Sequence, residues 1–593
     1  MVTREKIGDW LDERIAWRTA LRAWVDAPAR GDTGWGAAIG ASVATCCGVL
    51  ALTGTVLMTA YAPAPQSAWA SVHYIEYVQE GGWILRGLHY WAAQALFALA
   101  AIHIAHGVFS AGYRKPREVA WWLTLAVLGL AVGEGITGGL LPWDDRGWWA
   151  RLVEGNILGL APILGGFLQQ MMQGGPELGA LGLSRAYTLH IVLLPIVLGL
   201  VLWARRKASR SPSFPTRVAF DARWLAAARG AAIALVVVIA LLAVVVAVRP
   251  PLEAPADPMD NYPARPEWFL MTLFGLRKFF HGVGEVLGTT LLPGAAAMLL
   301  ALLPWIDRPG RSRVVTLAPV VLVFVAAVGI GVMPVLKDQH DESYLKPRAQ
   351  ADARAARAVV LAMDGVPPEG ALAMIRHDPE LRGQDLFDHH CSGCHVLGDL
   401  GDMKKATAAK LDGWGTPEWI LPMIHNPDAP ELFGRGPYKD RMPSVDTRPK
   451  DKPANEPWTP MAKSDAEKRA IALFLASQGD EPGDPPRALD PSSRAERELG
   501  EKIVSERCTS CHLYKGQGDD EGSGLAPELA RYGSLAWTRT QIANPASAET
   551  YREQALDESL KKHMPRFDKD LSAADIDIVA RWTRAHARGL PVR

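Results

Sequence analysis

Cysteine is scarce in this chain: six in 593 residues, too few for a disulfide scaffold. Net charge is absent too, with 63 Lys+Arg against 63 Asp+Glu, which gives no reason to expect nucleic acid as a partner. No cleavable signal peptide stands at the start, and no long low-complexity tract interrupts the chain. Charge is sparse in seven long apolar runs, 36–60, 90–110, 117–141, 186–204, 229–248, 286–306 and 313–336, which excludes a wholly soluble protein. Lys and Arg are missing from 61–82 but abundant in residues 1–35 and in the loops after the second, fourth and sixth runs. That alternation puts the N-terminus in the cytoplasm and, after seven spans, everything beyond about residue 337 in the periplasm of a bacterial inner membrane.

What is present divides the chain. Residues 1–35 carry Trp10, Trp17 and Trp24 spaced by seven, as on one face of a surface helix or of a soluble amphipathic one. A four-span part (36–210) and a three-span part (211–337) follow, then a connector (338–381) with an Ala-rich helix over 345–363. Beyond it lie two similar modules, 382–478 and 495–593, joined by the linker 479–494. The expected fold is all-α: a seven-span transmembrane bundle followed by two small helical domains resembling class I cytochromes c.

Each module holds one C-x-x-C-H string: Cys391, Cys394 and His395, then Cys508, Cys511 and His512. Two thiols one turn apart can bond both vinyl groups of haem while the adjacent His ligates iron, so two covalent haems c are expected. A zinc or dithiol reading leaves the His after each pair unexplained. The opposite iron ligand in such sites is usually a Met further on. Met564 is the choice in the second module; in the first, Met442 is preferred over Met461 and Met423.

The membrane part carries a second signal. His89 and His103 lie 14 residues apart, about four turns or ~21 Å, on one face of one span, and His190 opens the fourth span. Histidines in hydrocarbon segments are functional candidates, and two facing helices can clamp a haem through both axial positions. Glu134, inside the third span, suits a proton path or a hydrogen bond to a neighbouring helix equally well; Cys46 and Cys47 read as small packing residues.

The strings GWILRGLH (Gly82–His89), IHIAHG (Ile102–Gly107), GYRKPRE (Gly112–Glu118), GGLLPW (Gly138–Trp143), SRAYTLH (Ser184–His190) and PEWF (Pro266–Phe269) resemble the cytochrome b subunit of the cytochrome bc family, over residues 30–337. The resemblance implies that His89 and His190 are axial ligands of the low-potential haem b. It implies that Arg86 and Arg185 hold propionates, and that Gly40, Gly54 and Gly138 let the porphyrin lie against helix backbone. It places Pro266, Glu267 and Trp268 beside a quinol-oxidation pocket, with Glu267 taking a proton; Phe269 stands where the family has Tyr. His103 matches one ligand of the high-potential haem b, but its partner, due 14 or 15 residues after His190, falls on Ala204 or Arg205. Thr124 and His106 replace a family Gly and Arg around the same site. Either this haem is absent, or His103 binds it with an open or unusual sixth position. One haem b is expected and a second is left open.

The resemblance further implies a quinol:cytochrome c oxidoreductase, proton-translocating as part of a complex. Its partners would be a separate Rieske iron–sulfur subunit, the membrane quinone pool, and a soluble cytochrome c or terminal oxidase as acceptor, in a homodimer. Two other readings stand beside it: a quinone-linked oxidoreductase without Rieske bifurcation, and a tethered dihaem wire on a degenerate b scaffold.

Overall fold

The computed structural model describes the chain apart from residues 1–8, 10–11, 15–34, 210–219, 308–312, 449–456, 480–492, 519–525, 548, 551–563, 591 and 593. The tryptophans expected on a surface helix, Trp10, Trp17 and Trp24, lie outside the described residues. Among the described residues the structure is almost entirely helical, with only isolated β-bridges. It forms two units, Met1–Met374 and Ile375–Arg593.

In the first unit seven helices are long and apolar enough to cross a membrane. They are α1 (Trp35–Leu57), α2 (Gly82–Phe109), α3 (Glu118–Leu140), α5 (Ala180–Ala208), α6 (Phe220–Ala247), α7 (Leu287–Ile306) and α8 (Arg313–Asp338). Each runs about 20 residues or more with few charges, the length needed to span ~30 Å of hydrocarbon. A polar helix, α4 (Asp145–Gly159), follows α3, capped by Asp144, whose side chain accepts from the Gly147 amide. After the last span comes α9 (Glu342–Met363), the Ala-rich connector helix.

Polar side chains stitch both ends of this bundle. At one end Arg114 and the Tyr113 hydroxyl both donate to the buried Asp307. At the other, the strand-like segment 250–257 is clasped to the start of α4: the Asp145 amide donates to the Ala254 carbonyl, and the Glu253 and Asp257 amides donate to the carboxylates of Asp144 and Asp145. Arg348 on α9 reaches Glu253 and Tyr262, tying the connector to the same end. Buried polar groups of this kind persist only where hydrogen-bonded, which fixes the segment leading to Pro266.

The second unit contains α10 (Pro379–His390), α11 (Pro417–His425), α12 (Asp465–Ser477), α13 (Arg494–Ile503), α14 (Leu535–Ala543) and α15 (Ala573–Arg588). The two halves of the sequence repeat share their backbone pattern. Thr416 and Ser534 cap α11 and α14; the Trp419 and Trp537 indoles donate to the carbonyls of Lys410 and Glu528; the Val445 and Phe567 amides donate to the carbonyls of Ile424 and Ile542. The terminal helices nevertheless pair across the repeats. α10 packs on α15, and α12 packs on α13. Both crossings are close: a Cβ on Gly383 would lie 2.3 Å from Trp582 Cβ, and one on Gly500 2.1 Å from the Ala470 carbonyl oxygen.

Candidate haem sites and the membrane polar cluster

His89 on α2 and His190 on α5 face each other, ring centroids 6.1 Å apart and inclined at 73°. His190 lies in a π-helical turn, Leu189–Leu193, a local widening that recurs at functional positions. Both Nδ1 atoms are engaged. Thr53 Oγ1 sits 3.0 Å from His89 Nδ1, and its own proton goes to the Val49 carbonyl, so His89 Nδ1 donates. His190 Nδ1 lies 2.9 Å from the Glu134 carboxylate and 3.1 Å from the Glu134 carbonyl. Nδ1 is thus occupied in both rings, as in sites where imidazole ligates a metal through Nε2 while its other nitrogen is oriented by an acceptor. With nitrogen–metal bonds of about 2 Å, two imidazoles sharing one ion have centroids about 6 Å apart, so these two fit an iron between them. Glu134 thus makes the inter-helix contact that was one of its two sequence readings. Gly54 and Gly138 back the rings: a Cβ would lie 3.0 Å from His89 Cε1 and 2.6 Å from His190 Cε1.

Arg86 pairs with the buried Glu76 at 3.0 Å and donates to the carbonyls of Pro250 and Pro251. Arg185 donates to the carbonyls of Gln170 and Met171. Gly40 lies beside His103, where a Cβ would stand 3.8 Å from its Cε1. His103 itself accepts a hydrogen bond at Nε2 from Arg205 Nη2, 2.7 Å away, while Arg205 Nε donates to the Thr124 hydroxyl at 2.8 Å. Of the residues that depart from the family pattern here, Arg205 and Thr124 join His103 in one cluster.

Pro266 is buried, and Glu267 lies 3.1 Å from the Arg146 guanidinium. The Trp268 indole donates to Gln94, and Phe269 stacks on Phe97 with centroids 4.0 Å apart. Behind Arg146 sit three carboxyls outside the spans that burial raises: Asp144, Asp145 to about 8, and Glu154 to about 7, the last opposed by Arg151. Arg146 was not singled out in the sequence. Neither were Thr53 and Thr137, whose hydroxyls flank the histidines, although each immediately precedes a glycine of the site.

In the second unit, His395 and His512 are buried, which lowers the pKa of both. Each Nδ1 donates to a carbonyl, of Ala409 and Pro527 respectively, at 2.8 Å. Again Nε2 is left for a metal, and no disulfide joins the paired cysteines next to each. The donor set suits a covalently attached haem at each string.

Residues 26–205 match the sequence family described as cytochrome b/b6/petB, and residues 495–582 match the one described as cytochrome C oxidase, cbb3-type, subunit III. A cytochrome b6 of Heliobacterium mobile is 36% identical over 149 residues, 25% of this chain and 70% of that protein. That of Chlamydomonas reinhardtii is 30% identical over 192 residues, 32% of this chain and 89% of that one. The chain belongs to the cytochrome b/b6 family. A cytochrome bc complex cytochrome b subunit of Chlorobaculum thiosulfatiphilum is 33% identical over 286 residues, 44% of this chain; the match spans 64% of that relative's length. This cytochrome b is a multipass membrane protein carrying a cytochrome c region after its last span. Haem b and covalently bound haem c are the cofactors that the two families imply.

Proposed function

We propose that this cytochrome b is the membrane subunit of a quinol:cytochrome c oxidoreductase. It oxidises quinol at the periplasmic face and passes electrons outward through its own covalent haems. The facing imidazoles of His89 and His190, each with Nδ1 committed, carry this reading. Bound there, haem supplies one-electron transfer across the outer half of the membrane. The chain's residues do the rest. Pro266 and the 250–257 clasp hold Glu267 at the same end of the bundle as Arg146, and Glu267 takes the quinol proton as a general base. Trp268 and Phe269 anchor the motif through their contacts with Gln94 and Phe97. A separate Rieske subunit takes the first electron, the c-type haems replace a separate cytochrome c subunit, and the complex is a dimer in a bacterial inner membrane with the c region periplasmic.

In this reading the chain carries one haem b and two haems c. The Arg205–His103–Thr124 cluster supports that count, because the guanidinium occupies the nitrogen an iron would need. A pyridine haemochrome spectrum should give a b:c ratio of 1:2, and the purified complex should reduce cytochrome c with quinol. A ratio of 2:2 would refute the count, and no quinol-dependent reduction would refute the activity. The same cluster favours a second reading, a quinone-linked oxidoreductase without bifurcation, since a full Q cycle needs the second haem b. It predicts quinol oxidation that persists when no Rieske protein is present.

A further inference from the structure

In a cytochrome c module the N-terminal and C-terminal helices normally belong to one stretch of chain. Here each repeat lends its C-terminal helix to the other. One core joins Leu386, Phe387, Leu397, Leu400 and Trp414 of the first repeat to Ile542, Phe567, Val579 and Trp582 of the second; Cys391 and Met564 both pack against it. The other core joins Ile424, Val445, Ile471 and Phe474 of the first repeat to Ile503, Val504, Tyr514 and Leu529 of the second; Cys508, Met442 and Met461 pack against that one.

Direct contacts bring the Met564 loop to the first repeat's haem string, and the chain at Met461, beyond the Met442 loop, to the second's. The ring of His390, next to Cys391, lies 5.8 Å from that of Phe567, three residues past Met564. Phe387 on α10 meets Trp582 on α15 at 5.3 Å, and Glu380 pairs with His586 at 3.0 Å. On the other side Arg507, next to Cys508, donates to the Met461 carbonyl and to Glu467, both at 2.9 Å.

We propose that the two c-type sites are built crosswise: the iron held by His395 takes Met564 as its opposite ligand, and the iron held by His512 takes Met442. This departs from the within-repeat pairing that sequence order suggests. Met442 is the counterpart of Met564 by register, each standing three residues before the amide that pairs with α11 or α14. Met461 has no such register: it lies four residues before α12, where its carbonyl receives Arg507. Met442 also touches the small cluster of Ala409, Met423, Ala429 and Leu432, on the His395 side, so within-repeat ligation is the opposing outcome.

The test uses the full chain with one haem attachment removed. In C508S/C511S, which keeps only the haem at Cys391 and Cys394, M564A should turn that haem into a high-spin, carbon-monoxide-binding form, and M442A should leave it six-coordinate. In C391S/C394S the two methionine variants should exchange effects. The reverse assignment would overturn the proposal. Should the single-haem chains not fold, the double variant Glu380→Cys with His586→Cys keeps it testable. A link between these positions by a short bismaleimide, whose arm spans the room of the two original side chains, found by peptide mapping in a monomeric chain, supports the crossing, and singly modified, unlinked thiols at both refute it. The inference rests on haem being attached at all; absence of covalent haem stain in the parent chain would mark that failure separately.

Discussion

Arg205 donates to the very nitrogen of His103, Nε2, that an iron ligand must offer, at 2.7 Å, and steadies itself on Thr124. A guanidinium cannot give up its charge, so a fixed cation with its own hydrogen bonds stands where the family resemblance expects a second haem ligand.

Restoring the missing ligand should restore a cofactor. In R205H with T124G, an imidazole replaces the guanidinium and the side chain beside it is removed. The haemochrome ratio is expected to rise from 1:2 toward 2:2, with a new couple in potentiometric titration. An unchanged ratio in a folded protein would count against the cluster as the cause.

The glycine beside His190 is the tighter of the two at the retained site. G138A should therefore lose most of its haem b, and G54A less. Covalent haem c, scored on a haem-stained gel, should be unaffected in both. Equal loss in both would show that the ring contacts do not set binding.

Glu267 pairs with Arg146 at 3.1 Å. E267Q should lower quinol oxidation by about 10²-fold or more, the usual scale for a lost general base, with haem content unchanged. A rate within a few-fold of the parent chain would remove Glu267 from the proposed proton step.

The Asp145 carboxyl, pushed up to about 8 by burial, makes stability depend on pH. Unfolded, such a group titrates near about 3.9, so between about pH 4 and 8 the folded chain keeps a proton that the unfolded chain has released. Stability should be greatest on the acid side of that window and fall as pH rises through it. Thermal melts of the solubilised protein at several pH values should show this slope, and D145N should flatten it, leaving the share due to Asp144. An identical slope in D145N would rule out Asp145 as its source.

Much of the fold was legible because its signals are local. Seven apolar runs fixed seven spans to within a few residues at most ends, and the C-x-x-C-H strings needed only five adjacent residues each. His89 and His190 were legible through flanking strings, and their geometry brings them ring to ring. What was not legible is tertiary. The sequence showed that no His follows His190 at the right distance, but not that Arg205 turns inward onto His103. It showed two like modules, but nothing in either repeat says whose C-terminal helix closes whose core, since both helices present similar apolar faces. Arg146 stayed hidden in a run of polar residues, because its partner Glu267 lies 121 positions away.

The traded helices also set an order of biosynthesis. A ribosome that has released the first repeat has not yet made Trp582, so α10 has nothing to lie against and Gly383 faces water. The core around Cys508 has all its residues once Leu529 is made, but the one around Cys391 cannot close until translation is nearly finished. The attachment machinery therefore meets Cys391 and Cys394 on an open chain, and a product truncated before the last helix is left with the pocket around them incomplete.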